Sequence, residues 1–98
     1  MKVVAVGSRA FVSGFRLAGI SGIKVSNPDE ALREVTKLTR DRDIGLVLIS
    51  DDMSKEIRNR LNELRAKISV PLLYEIPSPG SKKEKFEYRD MLKQILGV

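Results

Sequence analysis

The side chains with the greatest chemical reach lie where two apolar runs end. Ser50, Asp51 and Asp52 follow the run Ile44 to Ile49, and Gly7, Ser8 and Arg9 follow the run Val3 to Val6. A carboxylate pair at the end of a strand could hold Mg²⁺ and accept a phosphoryl group, but such a site needs carboxylates on both loops. Here the second loop offers a hydroxyl and a guanidinium, and Arg9 would repel the cation. The fourth apolar run ends in Glu75, where that chemistry requires a lysine. Asp51 and Asp52 have a simpler use at the positive N-terminus of the helix that follows them. Ser8, Ser13 and Ser50 lack a base, because the chain has no histidine, and a hydrolase triad is thereby excluded. Cysteine is also absent, which removes disulfides and thiolate metal sites. Lys24 could in principle act as a base, but nothing separates it from an ordinary exposed lysine. Gly7, Gly14, Gly19 and Gly22 follow neither the G-x-G-x-x-G nor the G-K-[ST] spacing of phosphate-binding loops. The residues therefore predict no cofactor, no metal and no small-molecule substrate.

The elements that carry these residues alternate along the chain. Val3 to Val6, Ile23 to Val25, Ile44 to Ile49 and Val70 to Ile76 read as strands, and their nearly continuous apolar character suits a sheet covered on both faces. Helical patterns fall between them. The segment after Gly7 is irregular, with Phe11, Phe15 and Leu17 as its large apolar members. Asn27, Pro28 and Glu30 supply an N-cap, a proline at the first helical position and a capping-box acid. Ala31, Val35 and Leu38 then recur at helical spacing. The third helix carries the stripe Met53, Ile57, Leu61, Leu64 and Ile68. Glu56 with Arg60 and Glu63 with Lys67 are i,i+4 pairs in the favourable order on its outer face. Ser81 to Glu84 forms a capping box for a last helix with Tyr88, Met91, Leu92, Ile95 and Leu96 on its apolar side. The alternation predicts a single doubly wound, flavodoxin-like α/β fold. Its four parallel strands take the order 2-1-3-4, with helices on both faces. Residues 1–76 form the sheet core, 77–80 a Pro/Gly connector and 81–98 the C-terminal amphipathic helix, all within one domain.

A chain of 98 residues has room for one core. The start Met1-Lys2-Val3-Val4-Ala5-Val6 is too short for a signal-peptide core and leads directly into a strand. No apolar run approaches the length that crosses a bilayer. Lysine and arginine total 18 against 13 acids, a net charge of +5, which suits an acidic partner, nucleic acid or a membrane surface. The cations are mostly interleaved with acids, and the five aromatic residues show no base-stacking alternation with arginine. The stretch Asp43 to Glu75 has some likeness to the kink-turn RNA-binding ribosomal proteins, which makes an RNA-binding module the alternative reading. The glycine-asparagine-glutamate signature of that family is missing.

The stretch Ser13-Gly14-Phe15-Arg16-Leu17-Ala18-Gly19-Ile20 resembles the T-G-F-R-L-A-G-I motif after the first strand in the F subunits of the A-type and V-type rotary ATPases. Leu46 to Ser50 with Ile57-Arg58 is similar to that family's third strand and helix. Pro71-Leu72-Leu73-Tyr74-Glu75-Ile76-Pro77-Ser78 resembles its P-x-x-x-x-I-P-S strand end. Relatives commonly carry glycine and D-E-D after the first strand, where this chain has Ser8-Arg9-Ala10, and threonine at the position of Phe11.

The resemblance, closest to the archaeal branch, implies a non-catalytic central-stalk protein. Such a protein binds the D subunit, which forms the coiled-coil shaft, and turns with it. Ion translocation is thereby coupled to ATP synthesis or hydrolysis in a headpiece of A and B subunits. It implies a peripheral place on the cytoplasmic side of the membrane, attached only through the complex, and no nucleic-acid partner. The expected partner surface takes in Phe11, Phe15, Arg16, Leu17 and Ile20, then Pro77 and Ser78. In the last helix it takes in Lys82, Lys83, Lys85, Tyr88, Leu92 and Ile95. Large apolar side chains in a short glycine-broken segment motivate the first group. A helix that Pro77, Pro79 and Gly80 decouple from the sheet motivates the last.

Overall fold

The computed structural model describes residues 1–78, together with the isolated position Gln94. Seven elements alternate along the described chain: β1 (Lys2–Gly7), α1 (Arg9–Leu17), β2 (Ser21–Lys24), α2 (Pro28–Leu38), β3 (Ile44–Ser50), α3 (Asp51–Lys67) and β4 (Leu72–Ile76). The strands form one all-parallel sheet in the order β2-β1-β3-β4. This is the doubly wound, flavodoxin-like α/β architecture expected from the alternation. The second strand begins and ends earlier than its apolar run, at Ser21 and Lys24, because it pairs with the end of β1 from Val4 to Gly7. The fourth begins two residues later, at Leu72, since Pro71 has no N–H to give a ladder.

Side-chain alternation along the strands sends two sets of apolar residues to opposite faces. Val4, Val6, Val47, Ile49 and Leu73 meet Ala31 and Val35 of α2 and Met53, Ile57 and Leu61 of α3. Ala5, Leu48 and Ile76 meet Phe11, Val12 and Phe15 of α1. The α3 stripe thus faces the sheet as its spacing predicts, and Leu64 packs at the edge of that core. Ile68 falls just past the helix as its C-cap.

Local chemistry sets the helix ends. The Glu30 amide donates to Asn27 Oδ1 at 2.8 Å, and the Glu30 carboxylate reaches back to the Ser26 amide at 3.0 Å, one residue before the expected recipient. Helix α1, although its sequence looks irregular, is a regular helix. Ser8 is its N-cap, its Oγ lying 3.5 Å from the Phe11 amide. Its C-terminus closes as a Schellman motif: the Gly19 amide donates to Arg16 O and the Ile20 amide to Phe15 O, each at 3.0 Å. Gly19 has φ +83°, the left-handed conformation that this motif needs. Ile20 then packs on the cluster that holds Phe15.

Candidate functional site

In an open parallel sheet the crevice for ligands lies at the carboxyl ends of the strands on either side of the topological switch point. Here those ends belong to β1 and β3, which pair from Lys2 to Val6 and Ile44 to Ile49. Side chains crowd the end of β1. A Cβ on Gly7 would come within 2.6 Å of the Phe11 ring and 2.7 Å of Ser50 Oγ, so both side chains lie directly against the last residue of β1. Ser50 is fully buried, and its hydroxyl has no hydrogen-bond partner among the described residues. Asp51 Oδ1 accepts from both the amide and the hydroxyl of Ser78, each at 3.0 Å. The carboxylate that could have served a phosphoryl group instead ties the end of the sheet core to the first turn of α3. Among the described residues, no three acids, histidines or cysteines converge as metal ligands would.

The strongest polar cluster centres on Glu75, beside α3. Arg58 Nε and Nη2 donate to Glu75 Oε1 at 3.0 and 2.8 Å, the Ser54 hydroxyl donates to the same oxygen at 2.6 Å, and Arg65 Nη2 stands 3.6 Å from Oε2. Arg58 holds the Glu75 carboxyl below its usual range; burial pushes the other way, and Ser54 and Arg65 add to the lowering. Glu75 in turn raises the Arg58 guanidinium. Arg65 also donates twice to the Leu73 carbonyl, at 3.1 and 2.7 Å, and covers part of the edge of β4. Neither expected helix pair, Glu56 with Arg60 or Glu63 with Lys67, closes as an ion pair. The two arginines that do pair from α3 reach across to the strand. This cluster was not singled out from the sequence. Its signal was there: an acid within an apolar strand must find a partner. The arrangement clamps α3 to β4 and presents no open reactive group.

The expected partner residues divide sharply. Phe11 and Phe15 are fully buried, with ring centroids 4.9 Å apart and planes inclined at 56°. They are core side chains and offer no surface, which corrects the expectation that both face a partner. Ile20 is half-buried in the helix cap. Arg16 is exposed, and its Nη2 donates to the Gly22 carbonyl at 3.2 Å. Leu17 is 91% exposed. Pro77 is exposed and Ser78 is the half-buried donor to Asp51. Lys82, Lys83, Lys85, Tyr88, Leu92 and Ile95 lie outside the described residues, as does the helix expected from Ser81. Up to Ser78 the connector is tethered to α3 through Asp51.

The described residues form a flavodoxin-like domain in which Phe11 and Ser50 lie against Gly7 at the switch point and Leu17 stands exposed on the first helix. The family model for the ATP synthase (F/14-kDa) subunit matches residues 3–95, and the chain belongs to that family. It is similar to the F subunit of the A-type ATP synthase of Methanothermobacter thermautotrophicus, at 32% identity over 98% of this chain and 92% of the relative. The corresponding protein of Methanococcoides burtonii is 34% identical over 100% of this chain and 96% of its own length. That of Methanocaldococcus jannaschii is 28% identical over 100% and 97%.

Proposed function

We propose that this chain is a rotor component in the central stalk of an A-type ATP synthase, with no active site of its own. It binds the D subunit, the coiled-coil shaft, and turns with it. Ion flow through the membrane ring is thereby coupled to ATP synthesis or hydrolysis in the headpiece of A and B subunits. It is attached to the membrane only through the complex, on the cytoplasmic side. The observation that supports this reading is the end-to-end likeness to proteins named as F subunits of A-type ATP synthases, which align over 98% to 100% of the chain. In the same proposal residues 81–98 form a docking element for the headpiece. Lys82, Lys83 and Lys85 would be steered to an acidic surface, and Tyr88, Leu92 and Ile95 supply its apolar side.

Co-expression with the cognate shaft protein tests the first claim. The expected outcome is a stable one-to-one complex that joins an A/B headpiece and rotates within it. A chain that never associates with the shaft refutes the proposal. Truncation after Pro79 tests the second: the shortened chain is expected to fold and bind the shaft while no longer altering the ATPase rate of the complex.

A further inference from the structure

The motif at the end of α1 has two kinds of residue. Phe15, Gly19 and Ile20 build the helix and its cap. Gly14 and Leu17 do neither. Gly14 sits inside a helix, where glycine costs about 1 kcal/mol relative to alanine, and a Cβ placed on it meets no atom within 4 Å. Packing among the described residues therefore gives no reason for glycine at this position. Leu17, one turn further along the same flank, is 91% exposed. Ala10, Ser13 and Ala18 are also exposed, so this side of α1 carries no charge along its middle. A solvent-facing helix surface is ordinarily charged or polar.

The surroundings supply a second, independent feature. The first 28 residues, which run through β1, α1 and β2 to the start of α2, hold four cations (Lys2, Arg9, Arg16 and Lys24) and no acid. Arg9, Arg16 and Lys24 are exposed, and none forms an ion pair with a described residue. Elsewhere acids and bases alternate and pair, as Lys37 does with Glu34 at 3.6 Å. Among the described residues, positive charge here stands unpaired around an apolar helix face.

We propose that the outer face of α1, centred on Gly14 and Leu17 and bordered by Arg9, Arg16 and Lys24, receives a partner α-helix whose apolar seam is flanked by acidic residues. The inference rests on the shaft-binding reading and assigns the surface that performs it. Gly14 lets the partner backbone approach closely, Leu17 enters a hole between its side chains, and the cations answer its acidic flank. Charge complementarity of this kind raises the association rate and fixes orientation more than it adds affinity.

The test uses the full chain, the cognate shaft protein and variants Gly14→Ala, Leu17→Ser and the pair Arg9→Gln with Lys24→Gln. Gly14→Ala is the sharpest, since it is expected to melt no lower than the parent and yet to bind the shaft about tenfold or more weakly. Leu17→Ser is expected to keep its melting temperature and lose a similar factor. The charge pair is expected to slow association several-fold at low salt and to flatten its salt dependence, with dissociation unchanged. If the parent binds and all three variants bind equally well, the assigned face is wrong while the shaft-binding reading stands. If the parent itself does not bind the shaft, the reading fails and the inference falls with it. If the free chain is a dimer that Leu17→Ser dissolves, the face belongs to a second copy and the proposal is overturned.

Discussion

Helices α1 and α3 cover the same sheet from opposite faces, and they treat their outer surfaces in opposite ways. The outer side of α3 shows Lys55, Glu56, Arg58, Arg60, Glu63 and Lys67 to solvent, and Arg58 and Arg65 turn back to clasp Glu75 on β4. The outer side of α1 shows Ala10, Ser13 and Leu17, with arginines only at its margins. Both helices bury large apolar residues on their inner sides. The inner sides therefore say which fold this is, and the outer sides differ in what they offer to their surroundings, charge on α3 and an apolar strip on α1.

The comparison breaks most violently at Phe15. It is fully buried against Phe11, so Phe15→Ala is expected to destabilise the free chain by about 3–5 kcal/mol, read from denaturant unfolding. Leu17→Ala, two residues on, is expected to leave unfolding within about 0.5 kcal/mol of the parent. Equal losses at both positions would mean that α1 has no free side. The next largest effect is expected at Gly22, on β2 beneath α1. A Cβ there would stand 2.3 Å from Val12 Cγ1, and Val12 is buried and stiff at χ1. Gly22→Ala is expected to cost about 1–3 kcal/mol through overpacking, seen as a lower melting temperature with an unchanged far-ultraviolet spectrum.

The sequence carried the architecture well because each strand run and each helical stripe is long enough to show its period. Order, direction and layering then follow from handedness and from the alternating elements. The division within α1 was legible too, but only through geometry. Residues two apart on a helix point about 200° apart, so Phe15 and Leu17 cannot belong to one surface. Apolar character alone merged them. What the sequence could not show is the set of contacts made across distance. Glu75 meets Ser54 and Arg58 over 21 and 17 residues, and Asp51 meets Ser78 over 27. No local spacing encodes those pairs.

The Glu75 cluster sharpens the comparison from the α3 side. Its carboxyl is held below the usual range in the folded chain. The stability it contributes is therefore present above the unfolded pKa and is lost as pH falls through the folded one. Glu75→Gln keeps an acceptor for Ser54 and Arg58 but removes the charge, so a loss of about 1 kcal/mol is expected at neutral pH. That loss shrinks toward zero in acid, below the folded value of Glu75. Denaturant unfolding at several pH values measures it, and a loss that is the same in acid and at neutrality would show that the charge contributes nothing.

The last expected effect has the opposite sign and lies on α1. Gly14→Ala replaces a helical glycine whose added methyl meets nothing within 4 Å. Alanine lowers the conformational entropy of the unfolded chain and keeps the native backbone free of strain, since Gly14 is not among the positive-φ glycines of the described chain. A gain of about 0.4–1 kcal/mol is expected, without any contact formed in the folded state. On α3 no substitution of this kind is on offer, because that helix contains no glycine. In the proposal made above for this face, Gly14 is there for the close approach of a partner helix. Thermal unfolding of Gly14→Ala decides the premise: a lower melting temperature than the parent would place a hidden intramolecular demand on Gly14 and remove the contrast between the two helices.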